Sequence, residues 1–180
     1  MSALYLVTGG RRSGKSAYAQ RLAEGLGEPR VYVATCPALD EEMAARVEAH
    51  RAARAGRGWV TVEEQTAVPA AIRDSGGAAV ILVECVTLWV NNLIYEAGKR
   101  GERYTQPRAV EDAKELIGAA RGAAAKVVLV TNEVGWGIVP GDALSRAFAD
   151  AAGAVNQALA AAADQVTLVA CGLPLQLKEK

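Results

Sequence analysis

The eight residues 9–16, which read GGRRSGKS, constrain the fold of this chain more than any other feature. They fit the pattern G-x-x-x-x-G-K-[ST], in which a glycine-rich loop turns its backbone N–H groups toward phosphate oxygens. Such a loop needs a buried strand before it and a helix after it, because the helix N-terminus adds positive potential at the phosphates. An apolar run at 4–8 precedes the loop and a helical stretch begins at Lys15. The sequence therefore predicts a phosphate-binding loop in its working context.

The side chains of this loop suit phosphate chemistry. We expect the Lys15 ammonium group to reach the β- and γ-phosphates, and the Ser16 hydroxyl to hold Mg²⁺. Arg11 and Arg12 bring further positive charge. The predicted phosphate-binding set is the whole loop: Gly9, Gly10, Arg11, Arg12, Ser13, Gly14, Lys15 and Ser16. The motif by itself specifies neither the nucleotide nor the phosphate acceptor.

A carboxylate at the end of a neighbouring strand is expected to complete the metal site. Glu84 directly follows the apolar run 80–83 and is the preferred candidate, binding Mg²⁺ directly or through water. Aspartate is commoner at such a position. Glu133, just after the predicted strand 126–131, is the alternative for the metal or for the substrate.

Short β-branched runs alternate along the chain with longer segments rich in alanine and leucine. Runs such as 80–83 and 127–130 are apolar on both faces, which is typical of parallel strands covered on both sides. The predicted strands are residues 4–8, 30–34, 59–63, 79–84, 126–131 and 165–170. The predicted helices are residues 15–26, 40–55, 66–74, 88–97, 108–123 and 143–163. We predict a doubly wound α/β fold of the P-loop NTPase (RecA-like) type. It is one catalytic domain over 1–180, with a mostly parallel sheet and helices on both faces.

Two polar, glycine-containing segments lie between these elements. Residues 98–107 are predicted to form an exposed loop. Residues 132–142 follow a strand, so we expect them at the carboxyl edge of the sheet, where ligands bind in such folds.

Composition narrows the class of protein. The formal net charge is zero, which gives no indication of a nucleic-acid partner or an anionic membrane surface. The cysteines Cys36, Cys85 and Cys171 are far apart, match no metal-ligand spacing, and argue against a disulfide framework. No run is apolar enough for membrane insertion and no leader is apparent, so we expect a cytoplasmic protein.

The chain has one histidine, His50, late in the predicted helix 40–55. Arg46, His50 and Arg54 are spaced to share one helix face, and like charge nearby favours a neutral imidazole, which is a competent nucleophile. The same spacing is also typical of a solvated helix with an incidental histidine.

Further runs carry a family resemblance along essentially the whole chain. They are LVTGGRRSGKS at 6–16, YVAT at 32–35, DEEMAARV at 40–47 leading to His50 and Arg51, ECVTLWV at 84–90, and VTNEVGWGIVP at 130–140. In this ordered set the chain resembles the bifunctional adenosylcobinamide kinase / adenosylcobinamide-phosphate guanylyltransferase family of cobalamin biosynthesis. The loop is common, but the set is highly specific.

The resemblance implies two reactions. In the first, ATP or GTP gives its γ-phosphate to the aminopropanol hydroxyl of adenosylcobinamide. In the second, GTP gives GMP to the resulting phosphate through a guanylyl-histidine on His50, yielding adenosylcobinamide-GDP and pyrophosphate. Beyond the loop, the implied nucleotide contacts are Ala34, Thr35, Cys36, Arg51, Ala52, Ala53, Arg54, Glu63 and Glu84. Mg²⁺, held by Ser16 and Glu84, is the cofactor that the loop and the strand-end carboxylate predict.

The corrinoid site and the assembly are less defined. Trp89, Trp136 and Tyr95 are candidates for an apolar corrinoid surface, although each could equally belong to the core or to an interface. The resemblance implies a homo-oligomer, typically a trimer. Two other functions stay open at this point: a kinase of another small alcohol, or a GTP-binding module without catalysis.

Overall fold

The computed structural model describes residues 3–37, 48, 51–52 and 54–179. The strands are β1 (Leu4–Thr8), β2 (Arg30–Ala34), β3 (Trp59–Glu63), β4 (Val80–Glu84), β5 (Lys126–Val130), β6 (Gln165–Ala170) and β7 (Leu173–Glu179). They form one seven-stranded sheet in the order β3-β2-β4-β5-β1-β6-β7. Every neighbouring pair is parallel except β6 with β7. The carboxyl ends of six strands therefore lie along one edge of the sheet.

Five helices are described in full: α1 (Lys15–Leu26), α2 (Val68–Asp74), α3 (Val86–Lys99), α4 (Gln106–Gly122) and α5 (Ala143–Ala162). Side chains that accept a hydrogen bond from the first turn begin three of them: Cys85 for α3, Thr105 for α4 and Asp142 for α5. A short 3₁₀ turn, Val134–Trp136, follows β5.

The core lies on both faces of the sheet because successive side chains of a strand point to opposite sides. On one face, Val7, Leu82 and Val128 pack with Ala19 and Ala23 of α1. On the other face, the preceding residue of each strand packs with α2, α4 and α5; this cluster includes Leu6, Ile81, Val127, Ile72, Leu116 and Val155. The predicted α/β fold with a mostly parallel, doubly covered sheet is confirmed.

All six predicted strands are present, with bounds that differ by at most one residue. Strand β7 was not predicted; it contains Pro174, pairs only at the sheet edge and leaves its leucines exposed. The predicted loop 98–107 was too long at both ends. Helix α3 continues to Lys99, and the Thr105 cap begins α4 at Gln106.

The predicted helix 40–55 lies largely outside the described residues, although residues 48, 51, 52 and 54 are helical. No helix in the described part of the chain combines the length and the apolarity that crossing a bilayer requires.

Candidate active site

The phosphate loop leaves the carboxyl end of β1, which lies between β5 and β6, and leads directly into α1. The Ser13 N–H donates to the Gly10 carbonyl at 3.2 Å, which tightens the loop. Gly14, the last residue before α1, has a φ of 92°, a left-handed value that favours glycine. A Cβ there would lie 3.1 Å from the Cα of Gly172, so the loop and the β6–β7 turn are in close contact.

The cationic side chains of the loop differ in burial. Lys15 is only 8% exposed, and its Nζ donates to the Gly10 carbonyl at 3.1 Å. The ammonium group therefore lies against the backbone that is predicted to surround the phosphates. Arg11 and Arg12 are exposed and bring their charge to the solvent side of the loop.

Ser16 and Glu84 meet at the carboxyl edge of the sheet, from the first turn of α1 and the end of β4. The Ser16 hydroxyl donates to Oε1 of Glu84, and the Tyr32 hydroxyl donates to Oε2 at 3.3 Å. A hydroxyl and a carboxylate are oxygen ligands of the kind that Mg²⁺ prefers, so the pair fits this ion. Among the described residues, no group of three or more His, Cys, Asp or Glu side chains is arranged so that it could hold a metal ion.

Tyr32 connects this pair to a buried arginine. Burial, together with the charge of Glu84, raises the pKa of the Tyr32 phenol, so the hydroxyl stays a donor to Glu84. The guanidinium carbon of Arg54 lies 3.5 Å from the centre of the Tyr32 ring. Arg54 is 5% exposed, and its Nε and Nη1 have no hydrogen-bond partner among the described residues. Within the described part of the chain these N–H groups are buried donors without an acceptor, and they suit an anionic ligand.

The residues after β2 hold the neighbouring strand ends together. The Thr35 hydroxyl accepts from the Cys85 N–H at 2.7 Å and donates to the Cys85 carbonyl at 2.8 Å. Ala34 and Cys36, on either side, are partly exposed. Burial raises the pKa of the Cys85 thiol to about 11, so this thiol is neutral near pH 7. Thr35 therefore positions the segment next to Glu84.

Two further predicted nucleotide contacts pair with each other. An Arg51 guanidinium nitrogen donates to Glu63 at the end of β3, and both side chains are about half exposed. Ala52 is exposed. The predicted nucleophile His50 and the predicted contact Ala53 lie outside the described residues, so their roles stay predictions.

The structure reveals a hydrogen-bond network around Glu133 that the spacing of residues did not predict. The Thr8 hydroxyl donates to Oε1 of Glu133 at 2.5 Å, and the Glu133 N–H donates to the Gly9 carbonyl at 3.2 Å. Asn156 of α5 donates to the Asn132 carbonyl at 3.0 Å. The only signal in the sequence is the polar run TNE at 131–133, directly after a buried strand.

The three aromatic candidates for a corrinoid surface differ in how deeply their side chains are buried. Trp89 is 2% exposed and its Nε1 donates to the Thr66 carbonyl at 2.8 Å, so it belongs to the core and offers no ring to a ligand. Trp136 and Tyr95 are 68% and 64% exposed.

Comparisons with known proteins match this chain to one family over nearly its whole length. Residues 5–177 match the family model of cobinamide kinase / cobinamide phosphate guanyltransferase. A relative in Escherichia coli (strain K12), named bifunctional adenosylcobalamin biosynthesis protein CobU, is 46% identical over 97% of this chain and 99% of its own length. The protein of the same name in Salmonella typhimurium is 44% identical over the same shares. In Pseudomonas aeruginosa, bifunctional adenosylcobalamin biosynthesis protein CobP is 41% identical over 96% of both chains.

Proposed function

Since the chain belongs to the cobinamide kinase / cobinamide phosphate guanyltransferase family, we propose that it catalyses both reactions. It phosphorylates adenosylcobinamide with ATP or GTP and then transfers GMP from GTP to the product. The observation that carries this proposal is the assembly of Lys15, Ser16 and Glu84 at one edge of the sheet, beside a glycine-dependent phosphate loop.

In the kinase reaction, the hydroxyl oxygen of adenosylcobinamide attacks the γ-phosphorus. A new P–O bond forms, the bond to the β-phosphate oxygen breaks, and a nucleoside diphosphate leaves. The loop N–H groups and Lys15 orient the phosphates and offset their charge. Ser16 and Glu84 would hold Mg²⁺, which neutralises charge on the phosphate oxygens when bound.

In the guanylyltransferase reaction, a neutral His50 nitrogen attacks the α-phosphorus of GTP and pyrophosphate leaves. The phosphate of adenosylcobinamide phosphate then displaces the histidine and takes the GMP. The phosphate loop would hold the departing pyrophosphate. The Arg54 N–H groups, which have no acceptor among the described residues, and the Arg51–Glu63 pair support a guanine nucleotide at this end of the sheet. The proposed contacts are Ala34, Thr35, Cys36, Arg51, Ala52, Ala53, Arg54, Glu63 and Glu84.

A labelling experiment tests this function. Incubation with GTP labelled at the α-phosphate, followed by denaturation, is expected to leave a base-stable, acid-labile label on the wild-type chain. His50→Ala should take up no label yet still phosphorylate adenosylcobinamide, whereas Lys15→Ala should lose the kinase reaction. Undiminished label on His50→Ala would overturn the role of His50. Tight GTP binding without turnover of any corrinoid would indicate a binding module instead.

We further propose that residues 1–180 act as one catalytic domain, in the cytoplasm, as a homo-oligomer. The trimer implied by the resemblance is the specific expectation. The exposed leucines of β7, which are Leu173, Leu175 and Leu177, support an assembly.

A further inference from the structure

Glu133 lies between the phosphate loop and the segment that follows β5. Its backbone N–H is bonded to Gly9, the first residue of the loop, and its side chain is bonded to Thr8, the last residue of β1. Strand β5 separates β1 from β4 in the sheet. Glu133 therefore lies at the carboxyl edge after β5, whereas Glu84 lies at this edge as the last residue of β4. Glu84 accepts a hydrogen bond from the Ser16 hydroxyl.

The two carboxylate oxygens of Glu133 differ in their surroundings. Oε1 accepts from the Thr8 hydroxyl at 2.5 Å and from Nδ2 of Asn156 at 3.5 Å. Oε2 has no hydrogen-bond partner in the described part of the chain, where Glu133 also forms no ion pair with a lysine or arginine. One oxygen is thus anchored by neutral donors, and the other is left to accept a proton.

A buried chain of hydroxyls and amides fixes this orientation. The Thr131 hydroxyl donates to Oδ1 of Asn156 at 2.7 Å and lies 3.0 Å from the Thr87 hydroxyl. Thr87 in turn accepts from the Asn132 N–H at 2.8 Å. Thr87 and Thr131 are at most 5% exposed, so this hydrogen-bond network is shielded from water and holds Asn156 beside Glu133.

The surface immediately after Glu133 suits an apolar acceptor. Trp136, Ile138 and Val139 are 68%, 97% and 76% exposed within six residues of Glu133. A large substrate that covers these side chains would bring a hydroxyl group to the same end of the sheet as the γ-phosphate.

We propose that Glu133 is the general base of the kinase reaction. This proposal rests on the function proposed above and gives the carboxylates of Glu84 and Glu133 different roles. Glu84 holds the metal, and Oε2 of Glu133 takes the proton of the attacking hydroxyl. As the oxygen–phosphorus bond forms and the nucleoside diphosphate leaves, that proton moves to Glu133 and later to water. The guanylyl transfer has no such proton to remove, because a phosphate oxygen is the acceptor's nucleophile.

The substitution Glu133→Gln tests this division. The glutamine carbonyl can still accept from Thr8, but the amide cannot take a proton. We expect kcat for the phosphorylation of adenosylcobinamide to fall by about 100-fold or more, with KM for the nucleotide little changed. Transfer of GMP to supplied adenosylcobinamide phosphate should proceed at the wild-type rate.

Asp142→Asn is the matched control, because Asp142 is a carboxylate of the same segment that only caps α5, and asparagine caps equally well. Both reactions of this variant should match wild type. An equal loss of both reactions in Glu133→Gln would show a structural or metal-holding role and overturn the proposal. An unchanged kinase rate would also overturn it.

A failure of the proposed function would look different. If the wild-type chain does not phosphorylate adenosylcobinamide, slow hydrolysis of the nucleoside triphosphate becomes the readout, since water then loses its proton to the same base. Glu133→Gln should reduce that hydrolysis while it binds nucleotide normally and unfolds at the wild-type temperature. Undiminished hydrolysis in the variant would refute the assignment of Glu133.

Discussion

Glu84 shares its two oxygens between the Ser16 hydroxyl and the Tyr32 phenol. The phenol stays protonated because its pKa is raised by burial, and the ring is covered by the Arg54 guanidinium. The neutral Tyr32 hydroxyl therefore orients one oxygen of the Glu84 carboxylate, while the other oxygen contacts Ser16 at the end of the phosphate loop. At the scale of single residues, this arrangement links the predicted metal ligands to the predicted nucleotide contacts.

Glu84→Gln removes the carboxylate of the proposed Ser16–Glu84 pair that would hold Mg²⁺. We expect the Mg²⁺ concentration that half-saturates either reaction to rise about 10-fold or more, because a neutral amide binds a hard cation less well. A titration of the initial rate with Mg²⁺ measures this change. Glu64→Gln is a suitable control, since the Glu64 side chain accepts hydrogen bonds from the neighbouring Thr66 and Ala67, which the glutamine carbonyl can still accept. A wild-type Mg²⁺ dependence in Glu84→Gln would assign the metal elsewhere.

The turn between β6 and β7 supports the phosphate loop. Cys171 and Gly172 have φ values of 52° and 79°, as a two-residue hairpin turn with two left-handed residues requires. The Gly172 N–H donates to the Ser13 carbonyl at 2.8 Å. The antiparallel edge of the sheet therefore braces the loop from the side opposite to Glu84.

Gly172→Ala should weaken this support. The left-handed φ is expected to cost about 1–2 kcal/mol in the free energy of unfolding. A backbone shift that relieves this strain would move the N–H that donates to Ser13, so KM for GTP should rise. Urea unfolding and steady-state kinetics measure the two effects. Gly118→Ala provides the contrast, because Gly118 lies within α4 with open space around it and should gain about 0.5–1 kcal/mol. Equal KM values in the two variants would contradict a role for the turn in nucleotide binding.

At the scale of the whole molecule, the polar face of β7 packs against the protein and its apolar face is exposed to solvent. Gln176 bonds to Thr167 and Val166 of β6, and the Lys178 ammonium group bonds to the carbonyls of Ala160 and Ala161 at the end of α5. The leucines of the other face, Leu173, Leu175 and Leu177, are 71%, 58% and 56% exposed. An exposed row of leucines on an edge strand is typical of a contact with another chain.

A substitution on this face tests the proposed assembly. Light scattering of the wild-type chain should give a multiple of 18.8 kDa, with three copies as the specific expectation. Leu175→Glu should shift that mass toward a single copy, because it places a charge within the apolar contact. Val60→Glu, at a 59% exposed position on the opposite sheet edge, should leave the mass unchanged. A monomeric wild-type protein would contradict the assembly.

Features that depend on local sequence were predicted well. The phosphate loop with its flanking strand and helix, and the apolar runs of β4 and β5, are recognisable because buried parallel strands are continuously apolar. The ordered motifs were sufficient to indicate the family. The prediction that Glu84 ends a strand at the carboxyl edge is confirmed, whereas its role as a metal ligand stays a prediction.

Only the tertiary structure decided which distant residues meet. The sheet order places β5 next to β1, which brings Glu133 to Thr8 across 125 residues of sequence. The packing of α1 against β4 brings Ser16 to Glu84 across 68 residues. Strand β7 was missed because its apolar face is not buried within the chain. Local patterns record burial and backbone preference, whereas these contacts follow from the order in which the strands pack, which depends on the energy of the whole sheet.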